Sequence, residues 1–446
     1  LKQDKNFILN FILMLMKTIE QLYPIFLHHP VICTDTRKLS KDCLFFALKG
    51  DNFNGNLFAQ KAIEAGAAFA IIDEVQTEMN AQYILVQNVL ETLQQLASYH
   101  RAQLNIPVIA IVGSNGKTST KELVSSVLQT HFSVLSTPGN FNNHIGLPLT
   151  LLQLNKTHQI AVIEMGANHE NENAILCEIA QPSCGIVTNN GKDHLEGFGS
   201  IEGVIRSNAE LYGYLKNTAG LAFVNGNDAI LLAESAQVKN KIIYQQNGPA
   251  SLGSDQLCLA PKQLQPSILF TYEGLEISSY LSGDYNFDNI LAAIAIGRHF
   301  GLNPMQIKAG IESYEPQNLR SQWIQKDHNN IFLDAYNANP SSMELSIKNF
   351  IAMPGENKIL FLGDMFELGK YEAEEHQNLV DFCLNLNLAN VVLVGKAFAI
   401  TQSKYLKFIE TKEAAAYIEQ QQFKNYSFFL KGSRGMKMET LVDPIS

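Results

Sequence analysis

Val108-Ile109-Ala110-Ile111-Val112-Gly113-Ser114-Asn115-Gly116-Lys117-Thr118-Ser119 is the stretch on which the reading of this 446-residue chain turns. Its first five residues are apolar, and four of them are β-branched. Such a run predicts a strand covered on both faces, as in a parallel sheet. Pro107 marks its start. A helix is predicted from Lys117 to about His131. The loop between them, Gly-x-x-Gly-Lys-Thr, lets backbone N–H groups and the helix dipole cradle phosphate oxygens. Lys117 would reach the outer phosphates, and the Thr118 hydroxyl would meet Mg²⁺. A standard phosphate loop has glycine five positions before Gly116, where this chain has Ile111. The motif is therefore the short form, and its strand–loop–helix context carries the nucleotide reading.

Alternation of strands and helices continues in both directions. Upstream, a helix with Ala59, Ile63 and Ala67 on one face leads into the strand 68–72. A second strand, Tyr83 to Val86, precedes a helix with Leu90, Leu93, Ala97 and Leu104 on one side. Downstream, strands are predicted at Ile160 to Met165, Gly185 to Thr188 and Leu221 to Asn225. Loops and short strands fill 245–265, and a helix spans about Phe287 to Phe300 with Gly301 as its stop. A third alternation after Pro316 has strands at 331–333, 359–362, 391–394 and 427–430. Its first helix begins at Pro340, where a missing N–H costs nothing. The chain reads as an α/β protein of about three domains, which also suits its length.

Composition narrows the function. Hydrophobic residues make up 46% and charged residues 17%, enough for packed cores. The charge sum, 33 basic against 43 acidic residues, is −10 with no basic run, so no nucleic-acid partner is expected. Six dispersed cysteines form no Cys-x-x-Cys, as in a reducing compartment. The apolar run from Phe7 to Met16 is too short to span a membrane and lacks a cleavage site, so residues 1–16 read as a possible non-native extension, with Met14 or Met16 as alternative starts. A cytoplasmic protein, monomeric and without stable membrane association, is the expectation.

Polar residues gather at the predicted strand ends, where open α/β sheets bind ligands. Glu164 closes one strand, ahead of Met165-Gly166-Ala167-Asn168-His169. Asn189-Asn190-Gly191-Lys192-Asp193-His194 follows another. A capping glutamate and a surface histidine would account for either alone; their shared location favours Mg²⁺ beside the phosphate loop. In the third block, Asp334 to Pro340, Gly363 to Gly369 and Lys431 to Gly435 stand at strand ends too.

With these residues assembled, the chain resembles the Mur ligase family from about Lys17 onward. The marks are Thr34-Asp35-Thr36-Arg37, Phe45 to Gly50 with Asn54-Gly55-Asn56, the phosphate loop, Asn142 to Pro148, and Glu164 to His169. His194 to Gly199, Tyr285-Asn286 with Asn289, Arg320-Ser321-Gln322, Asp334 to Ser342 and Lys431 to Met436 follow in order. The resemblance implies three domains. These are a UDP-sugar-binding N-terminal domain (17–105), a central ATP-binding domain with a P-loop ATPase-type sheet (106–316) and a C-terminal Rossmann-like domain (317–446). It implies ATP and Mg²⁺ as cofactors, and D-alanyl-D-alanine joined to UDP-N-acetylmuramoyl-tripeptide through an acyl phosphate.

By the same resemblance, Lys117, Glu164 and His194 are the catalytic set. Gly113, Ser114, Asn115, Gly116, Lys117, Thr118, Ser119, Asn286, Asn289, Arg320 and Asp334 bind nucleotide, with Asn289 facing adenine. Thr118, Glu164 and His194 hold magnesium, and Thr36, Arg37, Lys49, Asn54, Gly55 and Asn143 grip the UDP-sugar substrate. Some positions depart from the pattern. Asn208 stands where the family carries a lysine carbamylated by CO₂. Asn171, Asn190 and Asp193 replace an expected glycine, aliphatic residue and alanine. Two alternatives remain: a folylpolyglutamate-synthase-like ligase, and a catalytically weakened nucleotide-binding paralogue.

Overall fold

A computed structural model describes residues 16–76, 80–248 and 255–445. The extension expected at residues 1–16 lies, but for Met16, outside the described residues. Two compact units divide the chain. The first comprises residues up to 110, 133–165 and 174–183; the second comprises 111–132, 166–173 and 184 onward.

In the first unit, Ile32–Cys33, Leu44–Phe46, Phe69–Ile72 and Tyr83–Leu85 form a parallel sheet in that order. Phe45, Ala47, Ala62, Ala70 and Ile72 build its core. Strands Val134–Ser136 and Ile160–Glu164 also pair in parallel, and Ala161 N–H donates to Pro107 O just before the strand Val108–Val112. The predicted helices are shorter than expected. The first is Ala59–Glu64, because the chain turns at Gly66 and carries Ala67 toward the next strand. The second is Val89–Ala102 and leaves Leu104 in the following turn. The helix Ile19–His28 escaped the sequence reading because Pro24 sits inside it; buried Leu22 and Phe26 hold it in place.

The second unit begins inside that same strand. Thr188 N–H donates to Val112 O, and Cys184–Val187, Leu221–Asn225, Asn240–Gln246 and Gln256–Leu259 continue as parallel neighbours. The helix after the phosphate loop spans Lys117–Gln129, ending before His131, where Phe132 N–H closes on Leu128 O. Helix Asp284–His299 begins three residues earlier than expected, directly after Gly283. An antiparallel hairpin, Ile268–Tyr272 with Leu275–Ser279, was passed over by the sequence reading, although Leu275-Glu276-Ile277-Ser278 alternates and its strands bury every second residue.

A six-stranded sheet completes this unit in the order Gln322–Lys326, Asn329–Leu333, Ser427–Lys431, Lys358–Gly363, Val391–Val394, Leu406–Phe408. Only the first pair is antiparallel. Side chains alternate between its faces as the pleat requires. Leu360, Leu362 and Phe429 pack under helices Pro340–Ala352 and Glu372–Asn385. Ile359, Phe361 and Phe428 pack under helix Thr411–Gln421. Both layers are apolar, which leaves the polar strand ends as the surface open to chemistry.

All six cysteines are buried free thiols. Among the described residues no helix is long and apolar enough to cross a membrane.

Candidate active site

The phosphate loop is shaped by what lies behind it. Gly113 has φ 131°, and a Cβ there would stand 2.2 Å from Thr188 Oγ1, so only glycine fits. Ser114 N–H donates to Asn189 O at 3.0 Å, and Asn115 N–H to Asn189 Oδ1 at 3.1 Å. The neighbouring strand end thus holds the loop open at the start of a 13-residue helix. Thr118 is buried there. The Lys117 ammonium turns back onto the loop, donating to Gly113 O and, at 3.2 Å, to Ser114 O. Asn289 braces the loop from behind: its Oδ1 accepts from Thr120 at 3.0 Å, and its Nδ2 donates to Asn286 Oδ1 at 3.1 Å. Asn286 in turn donates to Ser282 O. Tyr314, missed by the sequence reading, hydrogen-bonds Ser119, and burial pushes its hydroxyl up to about 12.

His194 is fixed by a carboxylate the sequence reading quoted but did not assign. Its Nδ1 lies 2.5 Å from Glu367 Oε2, and its Nε2 lies 3.6 Å from Asp193 Oδ1. Burial alone would depress the imidazole, but the Glu367 bond and the Asp193 charge outweigh it and raise the pKa. Bonding to His194 holds Glu367 below the usual carboxylate range. A histidine whose Nδ1 is held by a carboxylate presents Nε2, the arrangement that suits a metal ligand.

Third-block residues reach the same place. Asn339 Nδ2 donates to Asn115 Oδ1 at 2.9 Å and to Asp193 Oδ1 at 3.3 Å. Lys192 N–H donates to Ser341 Oγ, and Lys192 Nζ pairs with buried Glu375 at 2.5 Å. Asp334 is engaged with Lys431 at 2.6 Å, Ser346 Oγ at 2.8 Å and Ser321 N–H at 3.3 Å. The Arg320 guanidinium lies 3.5 Å above the Tyr336 ring.

All four departures from the family pattern make physical sense in the fold. Asn208 Nδ2 donates to Asn190 Oδ1 at 2.8 Å, so these two unusual residues are partners. Asn171 has φ 73°, a conformation asparagine tolerates where glycine would be usual. Its N–H donates to Glu210 at 2.6 Å, which engages that carboxylate. Asp193 is buried beside Lys117, with Oδ2 3.9 Å from Nζ.

The remaining residues belong to the first unit. Glu164 is buried, its N–H donating to Thr137 Oγ1 and its Oε1 accepting from Asn142 at 2.9 Å. Asn143 Oδ1 accepts from the Ile145 and Gly146 N–H groups where the short helix Gly146–Leu151 begins. Lys49 Nζ sits 2.9 Å from both Asp73 and Glu74. Asn54 donates to Glu74, and Asn56 donates to Asp73. A Cβ on Gly55 would come within 2.4 Å of Leu48 O. Arg37 forms a two-pronged pair with Asp35, depressing that carboxyl to about 2. Thr36 opens the same 3₁₀ turn, capped by Asp35. Asp73 and Glu74, which organise this cluster, lay in an unremarkable strand-end sequence.

A nucleotide-type phosphate loop, a carboxylate-held histidine and a second α/β block at strand ends are parts that an ATP-dependent ligase would use. Family models agree: the Mur ligase catalytic domain matches residues 29–101, the Mur ligase middle domain 111–297, and the Mur ligase glutamate ligase domain 319–433. The chain belongs to the Mur ligase family. It is 34% identical over 92% of both chains to the UDP-N-acetylmuramoyl-tripeptide–D-alanyl-D-alanine ligase of Bacillus subtilis. A MurF crystal structure from Acinetobacter baumannii superposes with TM-score 0.82 at 32% identity, covering 92% of each chain. MurF from Thermotoga maritima in complex with ADP gives 0.81 at 26% identity, covering 93% of this chain and 96% of that one. The three-domain α/β architecture of these ligases is the architecture of this chain.

Proposed function

We propose that this protein joins D-alanyl-D-alanine to UDP-N-acetylmuramoyl-tripeptide at the expense of ATP, in the cytoplasm, as a step of peptidoglycan precursor synthesis. Similarity over 92% of both chains to the Bacillus subtilis ligase carries the reading. The tripeptide carboxylate attacks the γ-phosphate, giving an acyl phosphate and ADP. The dipeptide amine then attacks the acyl carbon, and phosphate leaves from a tetrahedral intermediate. Two anions must meet in the first step, so cationic charge at the γ-phosphate is the main requirement. Lys117, now folded onto loop carbonyls, supplies it by swinging outward.

The residues present fit Mg²⁺. Thr118 is buried at the helix start, Glu164 is a buried carboxylate, and Glu367 turns His194 so that Nε2 is presented. The family resemblance assigns each of these three side chains to the ion, which when bound would neutralise phosphate charge. Domain limits of 17–105, 106–316 and 317–446 follow from the same reading, with Thr36, Arg37, Lys49, Asn54, Gly55 and Asn143 facing the UDP-sugar end. Asn286, Asn289, Arg320 and Asp334 serve the nucleotide side.

Phosphate release tests the proposal. Turnover should require UDP-N-acetylmuramoyl-tripeptide and D-alanyl-D-alanine together. Turnover with a folate and glutamate instead would hand the chain to the folylpolyglutamate-synthase reading. ADP binding without turnover under any condition would make it a nucleotide-binding paralogue.

A further inference from the structure

Asp193 is a buried carboxylate in an unusual place. Its Oδ2 lies 3.9 Å from the phosphate-loop ammonium of Lys117, while Oδ1 faces Asn339 Nδ2 at 3.3 Å and His194 Nε2 at 3.6 Å. Lys192, next in sequence, is not available to balance it, being paired with Glu375. His194 already has Glu367 on its other nitrogen. Asp193 is thus a fixed negative charge beside the ammonium that an incoming phosphate must recruit.

We infer that Asp193 makes this site discriminate between metal-complexed and metal-free nucleotide. The inference rests on the nucleotide reading of the phosphate loop given above. When a phosphate draws Lys117 outward, Asp193 loses that cation and keeps only the Asn339 amide and the His194 imidazole, which it shares with Glu367, close to the new anion. Leaving a buried carboxylate without its counter-charge is costly, and the like charge of a phosphate adds to that cost. A nucleotide arriving with a divalent cation brings compensating charge with it; a bare nucleotide does not. Asp193 therefore disfavours the bare form selectively, as a specificity-determining residue that need not touch the reacting atoms.

Asn339 separates charge from geometry. Its amide bridges Asp193 and Asn115 of the phosphate loop, so removing that bridge disturbs loop placement while leaving the Asp193 charge in position.

The test measures ADP binding to the full-length protein by calorimetry, in excess MgCl₂ and in EDTA at equal ionic strength. Wild type should prefer the magnesium condition. Asp193→Asn keeps size and hydrogen-bonding capacity but loses the charge. It should tighten binding in EDTA by about tenfold, the scale of one charge removed from a partly buried site. Binding in magnesium should change far less, so the ratio of the two dissociation constants collapses. Asn339→Ala should keep the wild-type ratio. An Asp193→Asn ratio equal to wild type, or an Asn339→Ala ratio shifted to match Asp193→Asn, would overturn the inference while leaving the nucleotide site intact. Wild type failing to bind ADP in either condition would instead overturn the nucleotide reading, and the inference with it.

Discussion

Lys117 shows how much a single side chain can be asked to do. It is the cation of the phosphate loop, and its ammonium now rests on Gly113 and Ser114 carbonyls. Lys117→Ala should abolish ligation, since losing one such contact to a developing charge costs roughly 3–4 kcal/mol. A variant keeping more than about a tenth of the wild-type rate, a loss of only about 1.4 kcal/mol, would contradict the assignment. That residue was legible because its motif is local: strand, glycine loop and helix start lie within one short stretch, Val108 to Ser119. Asn208 was legible only as a departure. Its contact with Asn190 was not, because the pairing depends on how helix Ile201–Thr218 is turned against a strand-end loop. The contact changes the experiment that Asn208 invites. A lysine placed there alone would meet the Asn190 amide in a buried setting, so both positions should be changed together. Asn190→Val with Asn208→Lys should give activity that rises with bicarbonate and needs less Mg²⁺, because a carbamate restores a carboxylate-type ligand. Rates insensitive to bicarbonate would show that Asn208 does not occupy the carbamate position.

At the scale of elements, strands covered on both faces were read correctly, because apolar runs of four or five residues rich in β-branched side chains and bounded by proline or glycine are too short for a helix and suit a buried strand. Helix ends were read less well, and the hairpin 268–279 and the helix containing Pro24 were passed over. What secures that proline-bearing helix is a tertiary contact. Tyr23 hydroxyl meets His100 Nδ1 at 3.1 Å, while His100 Nε2 meets Leu154 O at 2.8 Å. A carbonyl only accepts, so Nε2 carries the hydrogen and Nδ1 accepts from tyrosine. Burial lowers the His100 pKa, and the Leu154 bond opposes this only in part. The folded state therefore resists a proton that the unfolded chain accepts below about pH 6.5. The stabilisation from neutral His100 is complete above that pH and is lost as pH falls through it toward the folded value. Denaturant midpoints at pH 8 and pH 5.5 should fall more for wild type than for His100→Gln. Equal falls would remove His100 from the account.

Across the whole molecule, the contacts that assemble the candidate site join residues remote in sequence. Asn339 lies 224 positions from Asn115, and Glu375 lies 183 from Lys192. No period or motif encodes such pairs, so the sequence could place Gly113 to Ser119 and the strand-end clusters but could not say which would touch. Family resemblance supplied the roles; the fold supplied Glu367, Asn339, Ser341 and Glu375 as the residues that hold them. One of these ties pairs a buried carboxylate with a partly exposed ammonium, the side chains being 7% and 45% exposed. The asymmetry makes the two halves unequal. Lys192→Ala strands the Glu375 charge in the interior and should cost about 2–3 kcal/mol, below the roughly 3–5 of a fully buried pair because water still reaches the lysine side. Glu375→Gln removes the charge together with the need to balance it, and should cost less than about 1 kcal/mol. Adding Glu375→Gln to Lys192→Ala should then recover most of the lost stability. Urea unfolding of the three variants decides the matter: if Lys192→Ala is no worse than Glu375→Gln, or the double variant is no better than Lys192→Ala, the pair is a surface contact and the segment 191–199 is held by its other ties, His194 to Glu367 and Asp193 to Asn339 among them.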